Sequence, residues 1–440
     1  MLSEEELGDW RRTHYSSQIK PDLNNNDVLV MGWVSSIRDH GNITFLMLTD
    51  KDGEIQVTAK VDECGKELYD KIRSIREHSC IGVKGMVRNM HNAPNEAEVV
   101  PKEVRIFSMA KKVPPFQVHS RIVHNIDTRL DLRAVDLRRK VLQAVFKIRH
   151  STLNAAREFL NREGFIEVNT PKMIATATEG GAALFPIFYY DREAFLAQSP
   201  QLYKEQLTMA FERVFEIGPI FRAEPSRTMR HLSEATSIDV EEAFADYSIV
   251  IELLERMISY VLEYVEKNNS AQLELFQSRV VKPRLPLPRY TYDELVDLLR
   301  KEGERIEWGD DFSTENLKKL GSMLQGYYFI VDWPAASKPF YAKPKTGNER
   351  ICESFDLMFG ELEISSGSTR INRKEQLLER MKKQGLNPDA FDYHLRVFDY
   401  GVPPHAGFGL GLERFLMTLT GVENIRDVTL YPRDIDRLAP

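Results

Sequence analysis

Only three cysteines, Cys64, Cys80 and Cys352, occur in 440 residues, and they stand far apart. That spacing excludes a disulfide framework and a zinc-ligand pattern, both of which need several closely placed thiols. They read as packing residues. No stretch approaches the ~18 consecutive apolar residues of a membrane span, and the opening MLSEEELGDW is acidic where a secretory signal is basic and then apolar. A cytoplasmic protein without membrane contact is the expectation. Positive charge is not in excess either: 59 Lys and Arg face 66 Asp and Glu, a net charge of −7. A protein that coats nucleic acid through phosphate neutralisation alone does not fit this balance, although local basic blocks such as 129–140 remain.

The chain is 42% hydrophobic and 28% charged, over a length that suits two or three domains. Residues 1–107 read as one of them. VLVMGWVSSI, ITFLMLTD, GEIQVTAKV, IGVKGMVRN and EAEVVPKEVRIF are five strand-like segments, with 64–78 as a single helix after the third. That order matches a small OB-type barrel, a scaffold often used for single-stranded nucleic acid. Phe45 and Gln56 fall on neighbouring strands, where an aromatic face can stack on a base and an amide can read a base edge. Taken alone, Phe45 reads as core more readily than as a stacking platform. Residues 108–139 open with KKVPP, carry no period and read as a linker.

From Leu137 the spacing turns helical, with Val141, Val145, Ile148, Thr152, Ala155 and Phe159 on one stripe and Leu142, Phe146, Leu153 and Leu160 beside it. So wide an arc calls for cover by the domain's own sheet and by a second subunit, so a homodimer is expected. IATATEGGAALF, which holds Glu179, reads either as a lid or as a plain connection. FLAQSPQLYKEQLTMAF runs from strand to helix and puts Gln201 and Lys204 on one helix face. Two strand-like runs, 214–221 and 236–240, then flank a loop bearing Arg222, Glu224, Arg227, Arg230 and His231. Forked guanidinium groups there suit phosphate or carboxylate. Residues 270–325 look like a partly inserted helical segment without chemistry. SFDLMFGELEISSGSTR carries Asp356, Glu363, Ser366 and Arg370, and the carboxylates of Asp356 and Glu363, seven residues apart, suit a hard cation. PPHAGFGLGLERF sets Gly407, Gly409 and Gly411 before a helix with Arg414, without the strand-helix-strand series of a dinucleotide fold.

GFIEVNTPKM, FRAE with RHLSEATSIDVE, and GFGLGLERF resemble, in order, motifs 1, 2 and 3 of the class II aminoacyl-tRNA synthetases. Over almost its whole length the chain resembles the aspartyl enzymes of archaeal and eukaryotic type, with no large domain between motifs 2 and 3. The resemblance implies an α+β protein: an N-terminal OB-fold barrel for the anticodon, then a catalytic domain over 140–440 built as an antiparallel sheet flanked by helices. The implied chemistry is activation of L-aspartate by ATP with Mg²⁺, followed by transfer to tRNA. Arg222 and Arg414 would be catalytic. Glu179, Gln201, Lys204, Arg222, Ser366 and Arg370 would bind aspartate. Arg222, Ala223, Glu224, Arg230, His231, Leu232, Glu363, Gly411, Leu412, Glu413 and Arg414 would bind ATP. Glu363 and Ser366, with Asp356 nearby, would hold the metal, and Phe45 and Gln56 would read the anticodon. Many relatives carry an aromatic at the position of Ala235, so adenine stacking must come from elsewhere, such as His231 with Arg414.

Relatives that accept only the aspartate tRNA tend to have a bulky aromatic at the position of Ser35 and a lysine in the loop that here holds Asn92. Lacking both, the chain is expected to charge tRNA(Asp) and tRNA(Asn) alike. Three alternatives share the motifs in part: a discriminating aspartyl enzyme, an asparaginyl enzyme, and an amidating asparagine synthetase. The asparaginyl enzyme would have no reason to bury both Lys204 and Arg370, and the amidating synthetase would not need the barrel. A nucleic-acid-binding module without ligase activity would not need Glu363, Ser366 and the arginines together.

Overall fold

The computed structural model describes residues 4–119, 124–176, 184–276 and 280–440. These form two compact units that divide between Thr128 and Arg129. In the first unit β1 (Asp27–Asp39), β2 (Ile43–Thr49), β3 (Glu54–Lys60), β4 (Cys80–Asn89) and β5 (Ala97–Ser108) close into a barrel in the order β1-β2-β3-β5-β4. Strand periodicity of two decides which side chains fill it. Along β2 Thr44, Leu46 and Leu48 point inward, while Phe45 and Met47 lie on the outer face. The helix expected over 64–78 is instead two pieces, Val61–Cys64 and Lys66–Arg73. They break at Gly65, whose φ of 79° is a conformation that a side chain would oppose.

The second unit begins inside the segment expected to be linker. Arg129 and Arg133 both hold the buried carboxylate of Asp136, at 3.0 and 2.8 Å, and Arg133 also donates to the Leu430 carbonyl at 2.8 Å. Residues 129–136 are therefore anchored into this unit.

Its strands are β6 (Ile166–Glu167), β7 (Met173–Ile174), β8 (Pro186–Tyr189), β9 (Arg192–Leu196), β10 (Arg213–Phe221), β11 (Glu234–Ala243), β12 (Arg289–Thr291), β13 (Tyr327–Val331), β14 (Pro344–Lys345), β15 (Asn348–Cys352), β16 (Ser354–Phe359), β17 (Leu362–Thr369) and β18 (His405–Gly411). Eight of them form one sheet in the order β12-β13-β16-β17-β18-β11-β10-β6. The inner pairs are antiparallel, but β12 and β6 join the two edges in parallel, so the sheet is mixed.

Helices Lys140–Arg162 and Tyr247–Asn268 share a core with this sheet: Val145, Ile148 and Phe159 of the first meet Leu254, Ile258 and Val261 of the second beside Val240 and Phe408. The apolar arc expected to need a second subunit is thus mostly covered by the chain itself, with Val141 left exposed. Helices Tyr292–Lys301 and Thr314–Leu324 of the expected insertion pack Tyr292, Leu295, Leu299 and Leu320 against Tyr328 and Ile330 of β13 in a second core. Among the described residues no helix is long and apolar enough to cross a membrane.

Candidate active site

The charged loop is carried by a true hairpin. β10 and β11 pair from Arg213↔Glu242 to Phe221↔Glu234, and the Arg222 N–H then donates to the Ser233 carbonyl at 2.9 Å. The loop beyond is braced. Ile425 N–H reaches the Met229 carbonyl at 2.9 Å, and Arg227 pairs with Asp436 at 3.0 Å.

Next to β11 in the sheet lies β18, where the three glycines sit in the strand itself and not in a loop before the helix. Their spacing has a steric cause. Gly407 and Gly409 stand opposite Glu241 and Asp239, and a Cβ on Gly407 would come within 2.1 Å of the Glu241 carboxylate. The bare strand makes room for acidic side chains over the sheet.

A cavity of about 280 Å³ opens on this face. Of the residues expected to form the site, Gln201, Arg222, Arg230, His231, Leu232, Glu363, Ser366, Arg370, Gly411, Glu413 and Arg414 line it. Ala223, Glu224, Lys204, Leu412 and Asp356 do not line it. The Leu412 side chain is packed in the core. Glu179 lies outside the described residues.

Lys204 is buried behind the cavity, its Nζ 3.0 Å from Asp239 and 3.3 Å from Glu241. Arg370 grips Glu241 with two parallel bonds of 2.9 and 3.1 Å and donates to Ser368 Oγ at 2.7 Å. Burial opposes the guanidinium charge, but Glu241 outweighs it and holds Arg370 protonated. Two buried cations and two buried carboxylates therefore balance one another, and neither cation is unpaired.

At the other end Arg414 donates to the Glu363 carbonyl at 3.1 Å and to His231 Nε2 at 3.4 Å. Burial, and then the Arg414 charge, push His231 below the ordinary histidine range, so the ring is neutral and its Nδ1–H donates to Thr228 Oγ at 2.6 Å. Arg230 is ion-paired with Glu361. Glu413 is committed to structure: one oxygen binds Arg149 at 2.8 Å and the other takes the Thr236 N–H at 2.9 Å.

The acidic residues of β16 and β17 lie on an antiparallel hairpin with Asp356 opposite Ser366. Asp356 is nevertheless a poor metal ligand, because Lys338 holds both its oxygens at 2.9 and 2.7 Å. Burial raises its pKa, and Glu363 adds to the rise. Glu363 and Ser366 remain open to the cavity. Among the described residues no three His, Cys, Asp or Glu side chains converge on a metal position. One carboxylate and one hydroxyl fit Mg²⁺, which takes its remaining ligands from phosphates and water.

Sequence reasoning passed over Gln198, Asp239 and Lys338, all of which line the cavity. Asp239 and Glu241 carried a signal, since alternate positions of a strand share a face. Lys338 sits in an irregular stretch and carried none.

On the barrel, Phe45 is half-buried on the outer face and not in the core. Met47, two residues on, pairs with Gln56, so Phe45 and Gln56 are diagonal neighbours on that face. Gln56 donates through Nε2 to the buried Glu98 at 2.8 Å. Ser35 is buried, donating to the Met47 carbonyl at 3.2 Å, and Asn92 is exposed in the turn after β4.

These features together define an aminoacyl-tRNA synthetase of class II joined to a nucleic-acid-binding barrel. Residues 125–435 match the family of class II tRNA synthetases (D, K and N), and 28–107 match the OB-fold nucleic acid binding domain. The chain belongs to that synthetase family. An aspartate-tRNA(Asp/Asn) ligase of Methanocaldococcus jannaschii is 48% identical over 98% of this chain and 99% of its own. An aspartate-tRNA(Asp) ligase of Pyrococcus abyssi is 45% identical over 98% of this chain and all of its own. Among solved structures, the asparaginyl-tRNA synthetase of Pyrococcus horikoshii with asparaginyl-adenylate superposes with a TM-score of 0.94 at 31% identity, covering 98% of this chain and 100% of that one.

Proposed function

We propose that the protein is an aspartate-tRNA ligase that charges both tRNA(Asp) and tRNA(Asn). The observation that carries the choice of amino acid is whole-chain likeness: relatives 44–48% identical over nearly the whole chain are named for aspartate. Cavity chemistry agrees. Arg222, Arg230, Arg370 and Arg414 all reach it, Arg230 and Arg370 being paired with Glu361 and Glu241, and such forked donors suit phosphate and carboxylate groups.

The aspartate α-carboxylate attacks the α-phosphorus of ATP, pyrophosphate leaves, and a terminal ribose hydroxyl of tRNA then attacks the aspartyl adenylate. No side chain becomes a nucleophile. Rate comes from positioning and from charge placed where the transition state develops it. Arg222, fixed at the base of the hairpin, bridges the α-phosphate and the amino-acid carboxylate. Arg414, fixed by the Glu363 carbonyl, faces adenine and the outer phosphates together with neutral His231, which supplies the flat surface that Ala235 cannot. Glu363 and Ser366 hold Mg²⁺, which when bound neutralises charge on the phosphates. Arg370 takes the side-chain carboxylate of aspartate, with Lys204 behind it.

Identity does not separate the two tRNA specificities, since relatives named for one tRNA and for two stand at 45% and 48%. The barrel supports the broader one. A small buried Ser35 and an exposed Asn92 supply neither bulk nor charge to reject the wrong anticodon, and rejection generally needs such an element. Exposed Val141, Ile166 and Met173 are suited to a homodimer contact of a cytoplasmic enzyme. Exchange of pyrophosphate into ATP, measured side by side with aspartate and with asparagine, tests the amino-acid assignment. Exchange driven by asparagine alone would overturn it.

A further inference from the structure

Four residues beyond Gln201 on the helix Gln201–Phe211, Glu205 is almost fully buried, and none of the chemistry above uses it. Its Oε1 accepts from Gln201 Nε2 at 2.7 Å. Its Oε2 accepts from His405 Nε2 at 3.4 Å, and His405 Nδ1 donates to the Pro403 carbonyl at 2.8 Å. With both ring nitrogens donating, His405 is an imidazolium. Burial opposes that charge, but the bond to Glu205 outweighs it and raises the His405 pKa.

An ionised carboxylate can only accept hydrogen bonds. Glu205 therefore fixes the orientation of the Gln201 amide: the NH₂ end is taken, and the carbonyl oxygen is left for the cavity that Gln201 lines. Gln198 lines the same cavity, 1% exposed, and its Oε1 has no hydrogen-bond partner. A buried acceptor without a donor is destabilising until a ligand supplies one. Of the groups that aspartate brings, the ammonium is the one with N–H bonds to give to both oxygens.

We infer that Glu205 is a positioning residue: held by His405, it locks Gln201 as an acceptor, and the carbonyl oxygens of Gln201 and Gln198 together select the substrate by its ammonium group. The inference rests on the reading of this cavity as the aspartate site.

Succinate, which has both carboxylates of aspartate and no amino group, separates this role from a structural one. In Glu205→Gln the amide at 205 can donate, Gln201 is free to turn, and the KM for aspartate in pyrophosphate exchange rises about tenfold, the loss of one hydrogen bond to a charged group. The KM for ATP and the inhibition constant of succinate stay within about twofold, a difference of ~0.4 kcal/mol. In a Gln201→Leu background Glu205→Gln adds nothing further. Should Glu205→Gln not fold, His405→Gln, which keeps a donor but loses the charge, shows the same pattern at smaller size. Equal weakening of aspartate and succinate, or an unchanged aspartate KM, overturns the inference. An unchanged aspartate KM in Gln201→Leu alone overturns instead the placing of the amino acid in this cavity.

Discussion

Replacing Lys204 by methionine should damage the fold as well as aspartate binding, and the structure says by how much. Asp239 is 4% exposed and, among the described residues, has Lys204, at 3.0 Å, as its one ion-pair partner, whereas Glu241 keeps both bonds from Arg370. Breaking a buried pair by removing one partner costs about 3–5 kcal/mol, because the remaining charge is stranded. Only one of the two carboxylates is stranded here, which places Lys204→Met near the lower end, about 3 kcal/mol. With a urea m-value near the upper end of the range of about 1–3 kcal/mol per molar, the unfolding midpoint falls by about 1 M. Removing the orphan as well, in Lys204→Met with Asp239→Asn, should recover more than half of that stability without restoring affinity for aspartate. The assays are urea unfolding followed by circular dichroism, and aspartate-dependent pyrophosphate exchange. A midpoint unchanged in Lys204→Met alongside a large rise in aspartate KM would refute the reasoning, since Lys204 would then be a ligand and not a counter-charge.

Glu363→Gln removes the carboxylate that, of Asp356 and Glu363, remains open to the cavity, so the Mg²⁺ concentration for half-maximal exchange should rise at least tenfold while Asp356→Asn shifts it little; the reverse order would return Asp356 to the metal. The Glu205 and His405 pair predicts a pH window for stability. His405 and the positive charges around it outweigh burial and hold Glu205 at about 2 against 4.5. Its contribution is therefore full above about pH 4.5 and lost as pH falls toward 2. The His405 contribution, with the pKa raised from 6.5, is full below about pH 6.5 and lost as pH rises through the raised value. Unfolding midpoints of wild type and Glu205→Gln should accordingly converge on acidification from about pH 6 to about pH 3, and a constant gap contradicts the assignment. Light scattering at micromolar concentration should give a dimer mass, and Ile166→Asp with Met173→Asp should reduce it toward the monomer; a monomeric wild type sinks the contact suggested by those side chains.

The barrel was legible because alternating β-branched and apolar residues mark half-buried strands, and the five segments are separated by turn residues. The active-site hairpin was legible for the same reason, with its cations in the loop. Phe45 taken alone read as core, since periodicity gives two faces without saying which is inside; the inward Leu46 and Leu48 put it on the outer face. The anchoring of Arg129 and Arg133 by Asp427 and by carbonyls about 300 residues away in sequence is a tertiary fact with no local trace. The pairing of Lys204 and Arg370 was missed although SIDVEE sets Asp239 and Glu241 on one strand face. Their partners come from a helix and from the end of another strand, and only the fold brings them together.

Acceptance of aspartate by purified transcripts of tRNA(Asp) and tRNA(Asn) tests the proposed function most directly. With neither bulk at Ser35 nor a cation at Asn92, both transcripts should be aspartylated, with kcat/KM values within about tenfold, or ~1.4 kcal/mol. A preference for tRNA(Asp) above about a hundredfold, ~2.7 kcal/mol, would contradict the broad specificity, and failure to aspartylate either transcript would contradict the ligase itself.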